Sequence, residues 1–297
     1  METEKTIRIG TRGSELALAQ TGLVTQALKQ CRPELSIETV ILKTKGDKIL
    51  NQPLLAFGGK GAFVSEFEEA LLEGRIDIAV HSAKDLPMEL ADGLVLAGTL
   101  PRADAADVLV TRKGCMPEKT AHFTAGTGSL RRQCQLRALY PNVTCVGMRG
   151  NVPTRLRKLR EGECDAVVLA AAGLKRLGLS EEPELAYRYF DPEEMVPAGG
   201  QGIIVIEGRK EDKASELAAC ISEQAAYREL VAEREVLRLL DAGCHEAVGV
   251  HAVCREDAIA LQVMREQNGS IVRERETAPL GQWKALAERL AYRILEG

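Results

Sequence analysis

The sequence predicts an α/β protein with two similar αβ lobes and a smaller α+β domain at its carboxyl end. Over the first two-thirds of the 297 residues, short β-branched runs alternate with helical stretches. This alternation is typical of a mostly parallel sheet covered by helices. The alternation starts again near Asp107, which indicates a second lobe. From about Ser222, three consecutive strands lie between two helices, a pattern that favours a separate α+β domain.

The first lobe begins with a short strand followed by an amphipathic helix. Apolar residues at i, i+4, i+7 and i+8 over 62–73 predict a second helix that packs on a sheet. The elements predicted in order are the strand 7–9, the helix 14–29, the strand 37–42, the helix 62–73 and the strand 76–80.

The second lobe repeats this alternation, and a segment rich in proline and glycine at 190–202 reads as the crossover that ends it. The elements predicted in order are the strand 107–111, the helix 129–139, the strand 143–147, the helix 151–160, the strand 166–170 and, after the crossover, the strand 203–206. The last domain is predicted as the helix 222–240, the strands 248–254, 258–265 and 270–276, and the helix 281–295.

Composition excludes several classes of protein. There are 39 Lys and Arg residues against 43 Asp and Glu, a net charge of −4, so the chain is no polycation that coats nucleic acid or an acidic membrane. Eight cysteines occur singly, without CxxC pairs, which favours reduced thiols and gives no metal-ligand spacing. The longest apolar stretch, 166–174, is too short to cross a bilayer, and no apolar signal segment follows Met1. We expect a cytoplasmic protein without a metal.

The positive charge is concentrated in one segment. Residues 125–176 hold ten Lys and Arg and three acidic residues, a local charge of +7. Some of these, and one arginine of the first lobe, stand where a predicted strand ends and a helix begins: Arg12, Arg131, Arg132, Arg149 and Arg155. Such corners combine free backbone N–H groups with guanidinium groups and hold carboxylates or phosphates. Arg157, Lys158 and Arg160 instead read as the solvated face of a helix.

Two further strings carry reactive groups. Lys84 and Asp85 follow the strand 76–80, and they form either a structural ion pair or a carboxylate kept ionised by basic neighbours for proton transfer. Cys244 follows a glycine just past the long helix, where a sulfur is accessible as a nucleophile or attachment point. Four other cysteines suit buried positions in helices or strands: Cys134, Cys164, Cys220 and Cys254.

Several strings together resemble the porphobilinogen deaminases, also called hydroxymethylbilane synthases. The resemblance covers nearly the whole chain in order. The strings are GTRGSELALAQ at 10–20, GGKGAFVSE at 58–66, AVHSAKDLP at 79–87, GTGSLRRQCQL at 126–136, RGNVPTRL at 149–156, AGLKRLG at 172–178, PAGGQG at 197–202 and the GC loop at 243–244.

The resemblance implies a fold and a domain organisation. The two αβ lobes are expected to be built like type II periplasmic binding proteins, and the smaller α+β domain carries the cofactor cysteine. Domain 1 is expected to comprise 1–100 with 198–219, domain 2 to comprise 104–194 as the basic lobe, and domain 3 to comprise 220–297. The resemblance also implies a monomer.

The activity implied by the resemblance is that of a transferase. Four porphobilinogen molecules are deaminated and joined head to tail into the linear tetrapyrrole hydroxymethylbilane, with the loss of four ammonia molecules. The implied primer is a dipyrromethane cofactor attached through a thioether to Cys244. Each porphobilinogen carries an acetate and a propionate, which would explain a need for many arginines.

The resemblance also assigns roles to residues of this chain. Asp85 matches the catalytic aspartate, with Arg12 and Arg149 as its catalytic partners, and Lys60 lies in a candidate lid loop. The residues implied to bind the cofactor are Cys244, Lys84, Asp85, Thr127, Ser129, Gly150, Arg131, Arg132 and Arg155. The residues implied to bind the substrate are Arg12, Ser14, Arg149, Arg155 and Arg176.

The chain departs from the usual family pattern at three places. Glu15 follows the serine of the first string, Gly128 replaces a serine, and His245, Glu246 and Ala247 follow Cys244 without the usual proline. A loop without that proline is expected to be less rigid.

Two other functions compete with the enzyme. One is a non-catalytic, two-lobed anion-binding protein, which Asp85 and Cys244 oppose because simple binding needs neither. The other is nucleic-acid binding through the basic segment, which the 4% aromatic content and the corner positions of the arginines disfavour.

Overall fold

A computed structural model describes residues 6–44, 64–243 and 246–296 of the chain. The chain divides into two compact units. Unit 1 comprises the described residues of Met1–Ala103 and Ile203–Leu230, and unit 2 those of Asp104–Gly202 and Val231–Gly297. The chain therefore passes from unit 1 to unit 2, returns to unit 1 at Ile203, and enters unit 2 again at Val231.

The strands in chain order are β1 (Ile7–Thr11), β2 (Ile37–Ile41), β3 (Ile78–Ser82), β4 (Leu94–Thr99), β5 (Asp107–Arg112), β6 (Phe123–Gly126), β7 (Val143–Val146), β8 (Ala166–Ala170), β9 (Leu185–Tyr189), β10 (Ile204–Arg209), β11 (Val248–Arg255), β12 (Ala258–Gln267) and β13 (Ser270–Pro279). The α-helices are α1 (Glu15–Cys31), α2 (Ser65–Leu72), α3 (Leu130–Leu139), α4 (Val152–Arg160), α5 (Ala171–Arg176), α6 (Lys213–Cys220), α7 (Gln224–Leu239) and α8 (Trp283–Glu296).

Unit 1 contains a five-stranded sheet in the order β2-β1-β3-β10-β4. Strand β1 pairs in parallel with β2 and β3, whereas β10 pairs antiparallel with β3 and β4. Helices α1 and α6 cover one face through a cluster that includes Val24, Leu28 and Ala218. Helix α2 covers the other face, where Phe67 and Leu71 are fully buried. The carboxyl ends of β1 and β3 therefore lie at the same edge of the sheet.

Unit 2 contains a sheet with the same arrangement, in the order β7-β6-β8-β5-β9. Strand β6 is parallel to β7 and β8, and β5 is antiparallel to β8 and β9. The two predicted αβ lobes are thus confirmed, but the expectation that both are mostly parallel missed one antiparallel strand in each. The antiparallel strands are β5, which follows entry into unit 2, and β10, which follows return to unit 1; both were predicted as strands, without their direction. Hydrophobic periodicity shows which face of a strand is buried and carries no information on its direction.

The last part of unit 2 is an antiparallel meander of β11, β12 and β13. Its core packs apolar residues of these strands against α7 and α8, among them Val236, Leu261, Leu286 and Leu290. The predicted α+β element is therefore present, and the α/β fold class is confirmed. The meander and the second αβ sheet belong to the same compact unit. The boundaries expected for the three domains therefore stay predictions.

Among the described strands and α-helices, the sequence analysis missed five: β4, β6, β9, α5 and α6. All five are short, at four to eight residues. Such elements offer too few turns or alternations to raise a periodic signal above the flanking segments. Among the described residues, no helix is both long and apolar enough to span a membrane.

Gly98 in β4 shows how closely α6 packs on the sheet. A Cβ atom at this position would lie 2.6 Å from the backbone oxygen of Ala218 and 3.2 Å from the Cβ of Ser222. The neighbouring amide of Thr99 donates to the Ser222 hydroxyl at 3.1 Å, which fixes the approach. Only glycine fits here without a backbone shift.

We expect Gly98→Ala to lower the free energy of unfolding by about 1–3 kcal/mol, because overpacking against backbone atoms cannot relax by side-chain rotation. The matched control is Gly22→Ala in α1, where a Cβ would meet nothing within 4 Å. That change should raise stability by about 0.5–1 kcal/mol through helix propensity. Urea unfolding of both variants measures the difference, and equal midpoints would contradict the packing described here.

Candidate functional site

In unit 1, the corner between β1 and α1 positions Arg12 and Ser14. Ser14 caps the helix, and its hydroxyl accepts a hydrogen bond from the amide of Ala17 at 3.3 Å. Thr11 is fully buried at the end of β1, which leaves half-buried Arg12 as the first side chain beyond the strand. Glu15 is exposed in the first helical turn, where an acidic residue is locally favoured.

The adjacent strand β3 ends in a 3-10 turn, Ala83–Asp85, that carries the candidate catalytic carboxylate. The amide of Ala83 donates to the carbonyl of Ile203 at 3.0 Å, and the amide of Leu86 donates to the carbonyl of Ala83 at 3.3 Å. Asp85 is exposed and Lys84 is half-buried. The turn thus presents a solvent-accessible carboxylate on a backbone that these two hydrogen bonds hold in place.

Gln20 connects these two corners, and the sequence analysis did not single it out. Its Nε2 donates to the hydroxyl of Ser82 at 2.8 Å, and Gln20 is only 3% exposed. The contact joins α1, which follows Arg12, to the residue before the turn that carries Asp85. A polar residue on the sheet-facing side of a helix, inside the string 10–20, was the available signal.

In unit 2, the corner between β6 and α3 positions Thr127 and Ser129. Ser129 caps α3 and accepts from the amide of Arg132 at 3.4 Å. Buried Thr127 accepts from the amide of Ser129 at 3.2 Å. Both hydroxyls therefore hold the backbone of the corner in place, at the carboxyl end of a parallel strand.

Arg131 and Arg132 are buried around the carboxylate of Asp107, the first residue of β5. The distances to Asp107 are 2.7 Å from Arg131 Nη1 and 2.7 Å from Arg132 Nη2. Arg131 Nη1 also donates to the carbonyl of Val196 at 2.7 Å, and Arg132 Nη1 donates to that of Val168 at 2.9 Å. The arginines are 4% and 7% exposed, and Asp107 is fully buried. We call these three residues the Asp107 cluster.

In the Asp107 cluster, the opposite charges favour the ionised forms of Asp107 and Arg132. Burial alone raises the pKa of the Asp107 carboxyl, but the two arginines outweigh burial and hold that pKa well below its usual range. Burial also lowers the pKa of Arg132, and Asp107 opposes this effect. The cluster therefore remains ionised at neutral pH, with one positive charge in excess.

Gln201, in the string 197–202, completes the Asp107 cluster. Its Nε2 lies 3.0 Å from Asp107 Oδ1 and 2.7 Å from the carbonyl of Ala105. Sequence reasoning missed the role of both Gln201 and Asp107. An acidic residue at the start of an apolar strand was the only signal for Asp107.

The corner between β7 and α4 positions Arg149 and Arg155. Asn151 caps α4 by accepting from the amide of Thr154 at 2.9 Å. Gly150 has a φ of 115°, and a Cβ there would lie 2.7 Å from Thr154 Cγ2. Arg155 Nε donates to the carbonyl of Gly150 at 2.8 Å. The turn therefore requires glycine, and both arginines are half-buried beside it.

Arg176 lies at the end of α5. Its Nη2 donates to the carbonyl of Gly202 at 2.6 Å, and burial lowers its pKa to about 10. Arg176 is therefore still a cation at neutral pH.

The solvated basic face of α4 is confirmed. Arg157 pairs with Glu161 at 2.6 Å, Lys158 pairs with Glu163 at 3.3 Å, and Arg160 pairs with Glu182. Ion pairs this exposed contribute little to stability.

Three residues singled out from the sequence, Lys60, Cys244 and His245, lie outside the described residues. Next to them, Glu246 forms an ion pair with Arg265 at 3.2 Å.

Of the four cysteines expected to be buried, Cys164 is buried, and Cys134 and Cys254 are partly buried. Cys220 is exposed, so the expectation was wrong for it, because it ends the missed helix α6. In the part of the chain that the structure describes, no group of three or more His, Cys, Asp or Glu residues is placed to hold a metal ion.

Comparison with known proteins agrees with the motifs. Residues 7–217 match the family model described as porphobilinogen deaminase, dipyromethane cofactor binding domain. The chain is 46% identical to the porphobilinogen deaminase of Roseiflexus castenholzii over 291 residues, 96% of this chain and 95% of that protein. It is 41% identical to that of Acetivibrio thermocellus over 292 residues, 98% of both chains.

Among solved structures, the chain is similar to the BvgS periplasmic VFT2 domain of Bordetella pertussis, with a TM-score of 0.44 and 16% identity over 77% of this chain and 91% of that one. The family model spans both αβ sheets, and the relatives match nearly the full length. The chain therefore belongs to the porphobilinogen deaminase family.

Proposed function

We propose that the protein is a transferase, a hydroxymethylbilane synthase that deaminates four porphobilinogen molecules and joins them head to tail. The observation that carries this proposal is the match over nearly the whole chain to relatives named porphobilinogen deaminase, at 41–46% identity. The described geometry supports it, because strand-to-helix corners in both units present cations beside capped helix ends.

The substrate chemistry fits these corners. Each porphobilinogen carries two carboxylates, and guanidinium groups bind carboxylates through paired hydrogen bonds. Arg12 and Ser14 in unit 1 and Arg149, Arg155 and Arg176 in unit 2 would bind the substrate. Arg176 supports this role best, because it remains charged at neutral pH and it donates to a neutral carbonyl, that of Gly202.

A dipyrromethane cofactor fits the donor set of the chain. Its carboxylates would be held by cations and by the corner hydroxyl and backbone groups of Lys84, Thr127, Ser129, Arg131, Arg132, Gly150 and Arg155, with attachment through a thioether at Cys244. Asp85 would accept from the pyrrole N–H groups of the cofactor. Asp107 gives both buried arginines a counter-ion, so that two cations can be placed beside a polycarboxylate. When bound, the cofactor supplies the pyrrole α-carbon to which the first substrate is joined.

Asp85 is proposed as the catalytic group that acts on the substrate. Loss of ammonia breaks the C–N bond of the aminomethyl group and leaves an electron-poor azafulvene, cationic when protonated. An ionised carboxylate near the pyrrole N–H lowers the energy of that cation, and it can accept the proton released after the new C–C bond forms. Arg12 and Arg149 would orient the substrate carboxylates during this step.

The attachment of the cofactor gives the first test. We expect the intact mass of protein from a porphobilinogen-producing host to exceed the sequence mass by two condensed porphobilinogen units. Cys244→Ser should lack the added mass, because a hydroxyl is a poorer nucleophile than a thiolate. Cys220→Ser, at an exposed cysteine, is the control and should keep the added mass. A folded wild type without added mass would rule out the enzyme and favour the anion-binding alternative.

The role of Asp85 gives the second test. We expect Asp85→Asn to fold and to bind porphobilinogen, and to lose about 10²-fold or more in kcat because an amide neither carries the charge nor accepts a proton. Asp92→Asn, an exposed aspartate in the same unit, is the matched control and should keep wild-type turnover. Steady-state kinetics gives the kcat of both variants. Equal kcat values would show that Asp85 takes no part in the mechanism.

The Asp107 cluster gives the third test. We expect Asp107→Asn to lower the free energy of unfolding at pH 7 by about 3–5 kcal/mol, because two buried arginines lose their counter-ion, and to reduce cofactor loading. Asp104→Asn is the control, since Asp104 is exposed and only caps a turn by accepting from the amide of Ala106.

The same variant has a defined pH dependence. The folded-state pKa of Asp107 is depressed, so its contribution is fully present above the unfolded pKa of about 3.9 and is lost as the pH falls below that value. The stability difference between wild type and Asp107→Asn should therefore be constant from pH 7 to pH 5 and shrink below pH 4. A difference that grows on acidification would contradict the assignment.

A further inference from the structure

A buried pair outside the corners already described lies directly behind the catalytic turn. His81 Nε2 is 3.0 Å from Glu207 Oε2, and the two side chains are 7% and 0% exposed. The His81 ring packs edge-on against Phe67 of α2, with ring centroids 5.1 Å apart. The pair thus joins β3 to β10 beneath α2.

The alternation of β3 shows why this pair bears on Asp85. Ser82 is turned toward α1, where Gln20 donates to it, and His81 is turned toward the opposite face, where Phe67 of α2 contacts it. Val205 lies directly opposite His81, so Glu207 is the diagonal neighbour of His81 on that face. One polar contact on each face of the sheet therefore holds the end of β3, immediately before the Ala83–Asp85 turn.

The contact with His81 satisfies one of the two carboxyl oxygens of the buried Glu207 side chain. Among the described residues, Glu207 Oε1 has no hydrogen-bond partner, although the side chain is fully buried. Glu68 of α2 adds a second carboxyl near the pair. Burial raises the pKa of Glu68, and Glu207 raises it further. A carboxylate buried in this way destabilises the fold unless His81 is held against it.

We propose that Glu207, acting through His81, is a positioning residue that fixes the turn carrying Asp85. The pair anchors the strand end at the fourth residue before Asp85, on the face that the contact between Gln20 and Ser82 leaves unsecured. A displacement of about 1 Å at a reacting group can reduce a rate by about 10²-fold. The proposal rests on the proposed function, in which Asp85 stabilises the cation formed from porphobilinogen.

The test compares variants of the cofactor-loaded protein, with Asp77→Asn as the matched control. Asp77 lies just before β3, at its other end, is 4% exposed, and accepts hydrogen bonds from Arg8 Nη2 at 3.0 Å and Arg209 Nη2 at 3.5 Å. The Asp77→Asn change weakens these charged contacts at the start of β3, away from the Ala83–Asp85 turn. The variants are His81→Leu, which removes the donor, and His81→Gln, which places an amide N–H where Nε2 lies.

We expect His81→Leu to lower kcat by about tenfold or more with KM nearly unchanged, because a displaced Asp85 weakens the transition state more than substrate binding. His81→Gln should restore most of kcat. Asp77→Asn should lower the melting temperature at least as far as His81→Leu does while keeping wild-type kcat at a temperature where all variants are folded.

Two results would overturn the proposal: a kcat for His81→Leu no lower than that of Asp77→Asn, or no recovery with His81→Gln. If His81→Leu does not fold, Glu207→Met and Glu207→Gln give the same comparison, since only the second keeps an acceptor for His81. Equal kcat values for that pair would also overturn it. A failure of the proposed function is seen separately, as a wild type without turnover or added mass.

Discussion

The carboxylate of Asp107 is the group on which the basic part of unit 2 depends. Arg131 and Arg132 are adjacent in sequence and almost completely buried, and burying two cations without an anion costs several kcal/mol for each ion. Asp107 lies between them, and the same guanidinium groups reach the carbonyls of Val168 and Val196. One ionic contact therefore also ties α3 to β5, β8 and the crossover segment. The two cations in the first turn of α3 are therefore held by buried partners.

Unit 1 uses a related arrangement, and in both units the buried acid comes from the antiparallel strand of the five-stranded sheet. Asp107 begins β5 opposite Ala170, the last residue of β8, so it lies at the edge where the parallel strands end. Glu207 lies further inside β10, opposite Ala79, and contacts the end of β3 only through His81. The partners of these acids are 24 and 126 residues away in the chain. Both contacts need the antiparallel strand in place beside its neighbour, so the geometry of each candidate site depends on a completed sheet.

This dependence explains what the sequence could predict. The corners at Ser14, Ser129 and Asn151 are local, since each cap accepts from an amide three residues later. Strand ends followed by capped helices could therefore be predicted from the sequence as candidate anion sites. Strands β5 and β10 were recognised as strands but not as antiparallel, because alternation is the same in both directions. Asp107 and Gln20 were missed for the same physical reason: a polar residue in an apolar pattern shows its partner only after long-range pairing.

The arrangement also changes how the local charge of +7 should be understood. Three of the ten cations in 125–176 are paired with acids on the surface of α4 or beside it, and two share Asp107, which lies outside that segment. The electrostatic field at the strand-to-helix corners therefore comes from a few oriented cations and not from the summed charge of residues 125–176. Since the Asp107 cluster is already ordered and carries one excess positive charge, a carboxylate that binds there does not have to order the arginine side chains. Ligand binding avoids about 0.5–1.5 kcal/mol for each side chain that is already fixed. A site for a ligand with many carboxylates benefits more from such pre-ordering than from additional mobile cations, since every further carboxylate would otherwise order another long side chain.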